Sequence, residues 1–590
     1  MMLSSRSGWL LAIACHSLLV FGHPSNPRHG KGSDSRPAVT IKQGTVVGKV
    51  LDDGTFPEPL EGFMGIPYAL PPTNDRRLRP AEPVRKSHET IEALNIGPRC
   101  PGYQANPYPE DHLIGPDSES EDCLTINVFR PQSAKGSGKH KKKLPVAVYI
   151  PGGAFNRGAA RMYNAPSMLA HSPEPFVVVS MQYRLGVLGG MNTELTADEG
   201  LLNLAIRDIY TSLEWVQENI AAFGGDPKDV TVLGASAGAH AIGYMLMDIN
   251  QRKRLFHKVV IDNGGPTART INKPTSDLNT QHFREFLDLT PCKQYKNLKD
   301  PKILPCLRGL PFETIDKAGK AVFAKSEPGL RWAWQPVIDG KIISRRPIDA
   351  WKSGKWNKMP ILTGATHNEG APFVPKATNT SEDFTNVFRQ LLPTLSDADM
   401  KELESLYPDP STDPNSPYAD PMLPKLGAGL QYRRVEAAYA QHAYYCPVQQ
   451  TVHLSSSPGP KNPPVFVYHW ALNRTVLLGA SHADQVPYQT YNPDVRKISA
   501  AQEEVSGKLH AYAVSFILKG DPSAVNKGKH GKRPKWMPWS EKKPVTMLFG
   551  QGNDERAGGT GTGIAAQFVE YNWGEKQCEF WQKVTERHNA

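Results

Sequence analysis

Beyond its first 22 residues the sequence lacks any hydrophobic run long enough to span a bilayer, so no integral membrane segment is expected. The polar ending KVTERHNA also lacks the apolar tail of a lipid-anchor signal. The single long apolar run, GWLLAIACHSLLVFG at residues 8–22, follows an arginine and is too short for a transmembrane helix. These features predict a signal peptide at residues 1–22, a flexible polar tail at 23–37, and a secreted, extracellular protein.

Cysteine is scarce, with seven residues in 590, one of them inside the predicted signal peptide. The remaining even number is typical of an oxidising compartment, but spacing alone does not choose among the many possible pairings. Asn379 in NTS and Asn473 in NRT have the form of glycosylation acceptors, and such short motifs are often unused.

The formal charge of +10 raises the question of a nucleic-acid partner. Much of the excess lies in two glycine-interrupted tracts, KGSGKHKKK at 135–143 and NKGKHGKRPK at 526–535. Such tracts are typical of solvated surface loops, so no nucleic-acid partner is expected. A polyanionic wall or matrix partner remains the alternative.

Buried strands alternate with helices through most of the chain. After a predicted hairpin at 38–50, nearly continuous apolar segments predict strands at 144–150, 175–183, 229–235, 257–265, 359–365 and 463–470. Apolar residues at helical spacing predict a helix over 201–222, ending at Phe223-Gly224-Gly225. This alternation predicts an α/β fold with a mainly parallel central sheet and helices on both faces, and no internal repeat is visible.

The segment TVLGASAGAHAIG at 231–243 is interpreted as a strand, a sharp turn and the start of a helix. Within it, GASAG at 234–238 fits the nucleophile elbow G-x-S-x-G, in which small residues flank a serine held in a strained turn. The motif is short and recurs by chance. Ser236 is therefore either a nucleophile or simply the first residue of a helix.

A serine nucleophile needs a base, and the base needs an acid that fixes its tautomer. In elbow proteins the chain order is serine, acid, histidine, which favours Glu369 after the strand at 359–365 and His482 in a loop of small residues. Both follow strands, and catalytic loops of open α/β sheets gather at the carboxyl ends of strands. Asp262 and Asp339 also follow apolar stretches, and His240 is interpreted as a packing residue on the elbow helix.

Backbone N–H groups must stabilise the oxyanion that forms when a serine attacks a carbonyl. One such group follows the nucleophile, at Ala237. The turn Gly152-Gly153-Ala154, directly after a strand, can supply two more, although glycine turns of this kind are common in ordinary loops.

Several longer segments carry a family resemblance. They are GIPYA at 65–69, EDCLTINV at 121–128, YRLG at 183–186, EWVQENI at 214–220, FGGDP at 223–227 and the elbow. In these segments the chain resembles the type-B carboxylesterase/cholinesterase family of α/β-hydrolases, which includes fungal lipases of that type.

The resemblance implies one α/β-hydrolase domain over residues 38–590 and the hydrolysis of small-molecule or lipid esters without a metal or cofactor. It implies Ser236 as nucleophile, Glu369 as acid and His482 as base. The N–H groups of Gly153, Ala154 and Ala237 would stabilise the oxyanion. The implied disulfides are Cys100–Cys123, Cys292–Cys306 and Cys446–Cys578.

The chain departs from the family pattern at several positions. Ala235 stands where a glutamate usually precedes the nucleophile, Pro151 where an aromatic residue or histidine is common, and Ala154 where many members have a third glycine. The loop between Cys100 and Cys123 has no tryptophan, with Leu113 near the corresponding place, which argues against cholinesterase activity. The same loop is short and polar, which argues against a large lipase lid.

These observations predict a serine carboxylesterase acting through an acyl-enzyme. A triacylglycerol lipase and a non-catalytic cholinesterase-like adhesion or binding protein are the alternatives. Acyl chain length, natural alcohol and oligomeric state are left open by the sequence.

Overall fold

The computed structural model describes residues 36–52, 54–103, 118–132, 142–251, 253–327, 331–456 and 462–588. The predicted signal peptide, the polar tail up to residue 35, Leu113 with most of its loop, and residues 135–141 of the first basic tract lie outside the described residues. Residues 37–590 form one compact unit.

The strands are bounded as follows: β1 Ala38–Ile41, β2 Gly44–Val47, β3 Lys49–Leu51, β4 Leu60–Pro67, β5 Thr90–Glu92, β6 Thr125–Pro131, β7 Leu144–Ile150, β8 Val177–Met181, β9 Gly225–Ala235, β10 Lys258–Asp262, β11 Ile361–Thr366, β12 Val465–Trp470, β13 Val545–Asn553 and β14 Thr562–Glu570. β1, β2 and β5 form a small sheet. The large sheet has the order β14-β13-β12-β11-β10-β9-β7-β8-β6-β4-β3. All pairings between β13 and β8 are parallel, whereas both edges of this sheet are antiparallel.

The helices are bounded as follows: α1 Ala165–Ala170, α2 Gly186–Gly190, α3 Glu194–Asp198, α4 Leu204–Asn219, α5 Ala237–Met247, α6 Asp277–Asp288, α7 Ile303–Arg308, α8 Phe312–Ser326, α9 Pro347–Lys352, α10 Ser381–Leu391, α11 Asp397–Leu406, α12 Tyr432–Ala440, α13 Cys446–Ser455, α14 Val486–Gln489, α15 Pro493–Arg496, α16 Ala500–Lys519 and α17 Glu575–His588. A π-helical turn, Gln441–Tyr445, joins α12 to α13. None of the helices in the described ranges is long and apolar enough to cross a membrane.

The central strands are buried on both faces, as their continuous apolar sequences predict. On β7, Val146 and Val148 belong to the hydrophobic cluster that includes Ile209 of α4. Ala147 and Tyr149 of the same strand belong to the opposite cluster, which includes Tyr512 of α16. The predicted fold class, a mainly parallel sheet with helices on both faces, is therefore confirmed.

Local predictions also match the structure closely. The predicted hairpin is formed by β1 and β2, although it opens the small sheet rather than the large one. The predicted helix over 201–222 is α4 followed by a 3₁₀ turn, Ile220–Phe223, and Gly224 ends it with φ of 89°. The second basic tract, 526–535, has no helix or strand.

Candidate active site

Ser236 lies in a sharp turn between β9 and α5, with φ of 55° and ψ of −123°. This backbone conformation is rare for a residue with a side chain and stores strain. The two motif glycines make the turn possible. A Cβ on Gly234 would lie 2.6 Å from the carbonyl carbon of Gly238, and a Cβ on Gly238 would lie 2.3 Å from the carbonyl oxygen of Ile150. The Ser236 N–H donates to the Asp262 carbonyl at 2.9 Å, which fixes the elbow against β10.

Glu369 follows β11 and is fully buried. Its Oε1 accepts hydrogen bonds from Asn263 Nδ2 at 2.6 Å and from the Thr366 N–H at 2.7 Å. Its Oε2 is hydrogen-bonded to His482 Nδ1. Because an ionised carboxylate only accepts hydrogen bonds, His482 carries its proton on Nδ1 and has a lone pair on Nε2.

His482 Nε2 is buried and has no hydrogen-bond partner within the described part of the chain. Ser236 and His482 both line one cavity of about 240 Å³. Only 7% of Ser236 and 3% of His482 are exposed, so a reaction at this place would be largely shielded from water. The arrangement offers a base with a free lone pair in the same cavity as a strained serine.

The loops that carry Glu369 and His482 are joined by one backbone hydrogen bond and by the side chain of Asn368. The Asn368 N–H donates to the Ala480 carbonyl at 2.9 Å, and the Ala480 N–H donates to Asn368 Oδ1 at 3.1 Å. These two bonds hold the residue before Glu369 next to the small-residue loop before His482. The position of the acid relative to the base is therefore set by these contacts of Asn368 as well as by the hydrogen bond between the two side chains.

Gly153 and Ala154 lie in a turn after β7, with positive φ values of 107° and 56°. The Gly153 carbonyl accepts from the N–H groups of Asn156 and Arg157 at 3.0 and 2.9 Å. These bonds orient the peptide between Gly153 and Ala154, so that the Ala154 N–H points away from this turn. No described residue accepts a hydrogen bond from the Gly153 or Ala154 N–H.

Ala237 is the first residue of α5, where helical N–H groups lack an intrahelical partner. The three predicted oxyanion donors therefore all lie on turns next to strand ends. A substrate carbonyl is the kind of acceptor that such free donors bind.

The side chains of the alternatives left open by the sequence have hydrogen-bond partners other than Ser236 and His482. The carboxylate of Asp262 accepts from Tyr468 Oη at 2.8 Å and Gln489 Nε2 at 3.0 Å, and burial raises its pKa to about 7. The carboxylate of Asp339 accepts from N–H groups of its own turn. His240 Nδ1 lies 3.1 Å from the Gly265 carbonyl oxygen, and burial lowers the pKa of the ring well below its ordinary value.

Sequence reasoning missed two residues behind the acid. Asn263 donates to Glu369, and its Oδ1 accepts in turn from Gln485 Nε2. Asn263 directly follows β10, so the rule that located Glu369 at a strand end could also have found it. Gln485 follows His482 by three residues, and only the three-dimensional structure connects it to Asn263.

The departures from the family pattern are accommodated locally. The Pro151 carbonyl accepts from Tyr183 Oη at 2.8 Å, which fixes the start of the oxyanion turn. Ala235 is 4% exposed, and its uncharged side chain lines the cavity that contains Ser236.

The structure brings together the three cysteine pairs implied by the resemblance. Their Cα–Cα distances are 5.0 Å for Cys100–Cys123, 6.1 Å for Cys292–Cys306 and 5.1 Å for Cys446–Cys578. Of the two sequons, Asn379 is exposed just before α10, and Asn473 is partly exposed. Both therefore remain predicted acceptors.

Comparison with known proteins yields consistent matches. The sequence model of the carboxylesterase family matches residues 35–581. Secreted lipase 4 of Gibberella zeae is 32% identical over 497 residues, which cover 84% of this chain and 84% of that protein. Lipase 2 of Geotrichum candidum is 29% identical over 81% of this chain and 86% of that lipase. The crystal structure of Aspergillus niger EstA has the same fold, with a TM-score of 0.76 and 23% identity over 94% of this chain and 99% of that one.

Proposed function

Since the chain belongs to the carboxylesterase family, we propose that it is a secreted enzyme that hydrolyses carboxylic esters through an acyl-enzyme on Ser236. One observation supports this most strongly. The buried Glu369 carboxylate contacts His482 Nδ1, while His482 Nε2 is unpaired and Ser236 lines the same cavity. This is the combination of nucleophile, base and orienting acid that a serine hydrolase requires.

In the first half-reaction His482 Nε2 accepts the proton of Ser236 Oγ while Oγ attacks the ester carbonyl carbon. The resulting oxyanion accepts hydrogen bonds from the N–H groups of Gly153, Ala154 and Ala237. Glu369 stabilises the imidazolium that has formed on His482. Collapse of the intermediate transfers that proton to the leaving alcohol and leaves the acyl group on Ser236.

In the second half-reaction His482, neutral again, accepts a proton from a water molecule that attacks the acyl carbonyl. The same N–H groups stabilise the second oxyanion. Return of the proton to Ser236 Oγ releases the carboxylic acid. The residues consumed in the first half-reaction are thereby restored.

Secretion is supported by three features. The relative from Gibberella zeae is named a secreted lipase, and residues 8–22 have the length and polarity of a signal-peptide core. The disulfide-distance cysteine pairs also fit an oxidising compartment.

The proposal is tested by hydrolysis of p-nitrophenyl esters of increasing acyl length, with the wild type beside Ser236→Ala. Ser405→Ala is the matched control, because Ser405 is exposed on α11. We expect Ser236→Ala to lose about 10³-fold or more of kcat while remaining folded, and Ser405→Ala to keep full activity. A folded wild type without activity on any ester would favour the non-catalytic binding protein.

A triacylglycerol lipase is the second candidate, because the relatives from Gibberella zeae and Geotrichum candidum are named lipases. Activity on a long-chain triacylglycerol, measured below and above the concentration at which it forms droplets, distinguishes the two. The rate of hydrolysis by a lipase increases sharply when the lipid–water interface forms, whereas the rate of an esterase depends on the concentration of dissolved substrate.

A further inference from the structure

A second cavity, of about 190 Å³, lies beyond the catalytic residues and has an unusual charge composition. Eighteen described residues line it, and none of them is an aspartate or glutamate. Four carry basic side chains: His240, Arg269, Arg331 and His442. Such a cavity favours a negatively charged group.

Arg269 is the less exposed of the two arginines that line this cavity. Its Nη2 donates to Tyr444 Oη at 2.6 Å, and its guanidinium carbon lies 3.6 Å from the centroid of the Trp332 ring. Tyrosines, and no carboxylate of the described residues, are the groups that interact electrostatically with Arg269, and its Nε is buried there without a hydrogen-bond partner. Because arginine stays protonated in proteins, a fixed positive charge with an unused donor faces the cavity.

The two histidines add unpaired polar atoms to the same wall. His442 Nδ1 and His240 Nε2 are both buried without a hydrogen-bond partner in the described ranges. Burial, with a contribution from Arg269, lowers the pKa of His442 to about 4, so both rings are neutral near pH 7. His442 and Tyr444 lie on the π-helical turn, a local irregularity that often occurs at functional sites.

The cavity is close to the proposed catalytic residues. The ring of Tyr444, whose hydroxyl accepts from Arg269, lies 4.5 Å from the ring of His482 between centroids. His240 lies one helical turn after Ser236 on α5, and Phe155, which also lines the cavity, directly follows the oxyanion turn. One aromatic ring thus separates the guanidinium from the proposed base.

The leaving alcohol must contact His482, which protonates it. Ser236 and His482 both line the larger cavity, and neither lines the smaller one. The alcohol and the reacting carbonyl are therefore assigned to the larger cavity, whereas the smaller one, separated from His482 by the Tyr444 ring, is left for the distal end of the acyl chain.

We propose that the smaller cavity binds a carboxylate at the far end of the acyl chain through Arg269, so that the preferred substrates are half-esters of dicarboxylic acids. This inference rests on the proposed ester hydrolysis at Ser236. A charge-assisted hydrogen bond formed here would favour the half-ester over an uncharged ester of the same length by about tenfold or more.

The kinetic test compares mono-p-nitrophenyl adipate with methyl p-nitrophenyl adipate, which differ only in whether the distal carboxyl is charged or methylated. We expect the wild type to have a kcat/KM at least about tenfold higher for the half-ester. Arg269→Met should lower kcat/KM for the half-ester at least about tenfold more than it lowers kcat/KM for the diester, so that the preference is lost. Arg389→Met is the matched control, because Arg389 pairs with Asp397 on the exposed surface of α10.

The binding test does not depend on catalysis. Calorimetric titration of Ser236→Ala with adipate should show binding, and Ser236→Ala/Arg269→Met should bind at least about tenfold more weakly. Arg269→Lys keeps the charge and should retain part of the preference, which keeps the test available if Arg269→Met does not fold.

The inference is overturned if Ser236→Ala does not bind adipate, if the wild type prefers the diester, or if a folded Arg269→Met loses activity on both substrates equally. If neither ester is hydrolysed but adipate still binds through Arg269, the proposed function fails and the carboxylate site stands. Failure of the two proposals is therefore distinguishable.

Discussion

Replacing Glu369 by glutamine tests the role of the buried acid with almost no change in shape. The Oε1 of Glu369 accepts two hydrogen bonds, from Asn263 and from the Thr366 N–H, so the amide oxygen of the glutamine must take this place. The amide NH₂ then faces His482 Nδ1, which has to accept a hydrogen bond instead of donating one. His482 would consequently carry its proton on Nε2 and could not accept the proton of Ser236.

The size of the effect follows from the same contacts. If the glutamine amide were turned around, its oxygen would face His482 Nδ1 and restore the tautomer with the proton on Nδ1. Its NH₂ group would then face the two donors, Asn263 Nδ2 and the Thr366 N–H. Each lost hydrogen bond of a buried group costs about 1–3 kcal/mol, so the turned amide is disfavoured by roughly 2–6 kcal/mol. A wrong tautomer of this kind lowers kcat by up to about 10⁴-fold in serine hydrolases. We therefore expect Glu369→Gln to lose about 10³- to 10⁴-fold of kcat on p-nitrophenyl butyrate.

Glu436→Gln is the matched control for a buried acid near the site. Its carboxylate accepts from the Gly370 N–H and from Asn368 Nδ2, both at 3.2 Å, and no described contact joins it to His482. Burial raises its pKa to about 7, so a neutral side chain is already tolerated there. We expect kcat within about tenfold of wild type. A folded Glu369→Gln that keeps more than a tenth of wild-type kcat would refute the assigned role of Glu369.

Three further predictions concern stability, each measured by urea unfolding. The folded-state pKa of Asp262, about 7, lies above that of an unfolded aspartate, so the free energy of unfolding of the wild type should fall by up to roughly 4 kcal/mol from this group as pH rises from about 4 to about 7. Asp262→Asn should lack this part of the pH dependence. An equal pH dependence in the wild type and the variant would contradict the raised pKa of Asp262. Cys446→Ser/Cys578→Ser removes the disulfide that closes a loop of 132 residues and should lower the free energy of unfolding by about 5 kcal/mol. A decrease of less than about 1 kcal/mol would show that this disulfide is absent in solution. Arg184 donates to both oxygens of the fully buried Asp208 carboxylate, at 2.6 and 2.7 Å. Arg184→Met removes this partner and should lower the free energy of unfolding by about 3–5 kcal/mol. An unchanged free energy of unfolding would contradict a stabilising role for this ion pair.

The sequence predicts the fold because its signals are local, and the residues proposed for the main site are also identified from local signals. Continuous apolar strands, the glycines around Ser236 and the order of serine, acid and histidine are all visible within short segments. The strained turn requires glycine at positions 234 and 238 because the strand and the helix lie too close together there for a Cβ atom. Residues placed directly after strands, such as Glu369, then meet at one edge of the sheet.

The second cavity is invisible in the sequence because its residues come from separate segments. Arg269 follows β10, Trp332 follows α8, and Tyr444 lies on the π-helical turn, so only folding brings the cation between the two rings. The π turn has no periodic signal that distinguishes it from the helices on either side. Asn263 was missed for another reason: it is polar and follows a strand, but the motif order asks only for an acid and a histidine.

The central claim, that Ser236 is the nucleophile of an ester hydrolase, is tested most directly by trapping it. We would incubate the wild-type protein with a p-nitrophenyl alkylphosphonate, which transfers its phosphonyl group to an activated serine, and locate the added mass by peptide mass spectrometry. The account predicts one equivalent of released p-nitrophenol, complete loss of esterase activity, and a single modified peptide labelled at Ser236. Full esterase activity with Ser236 unlabelled, or labelling of a different residue in step with the loss of activity, would contradict it.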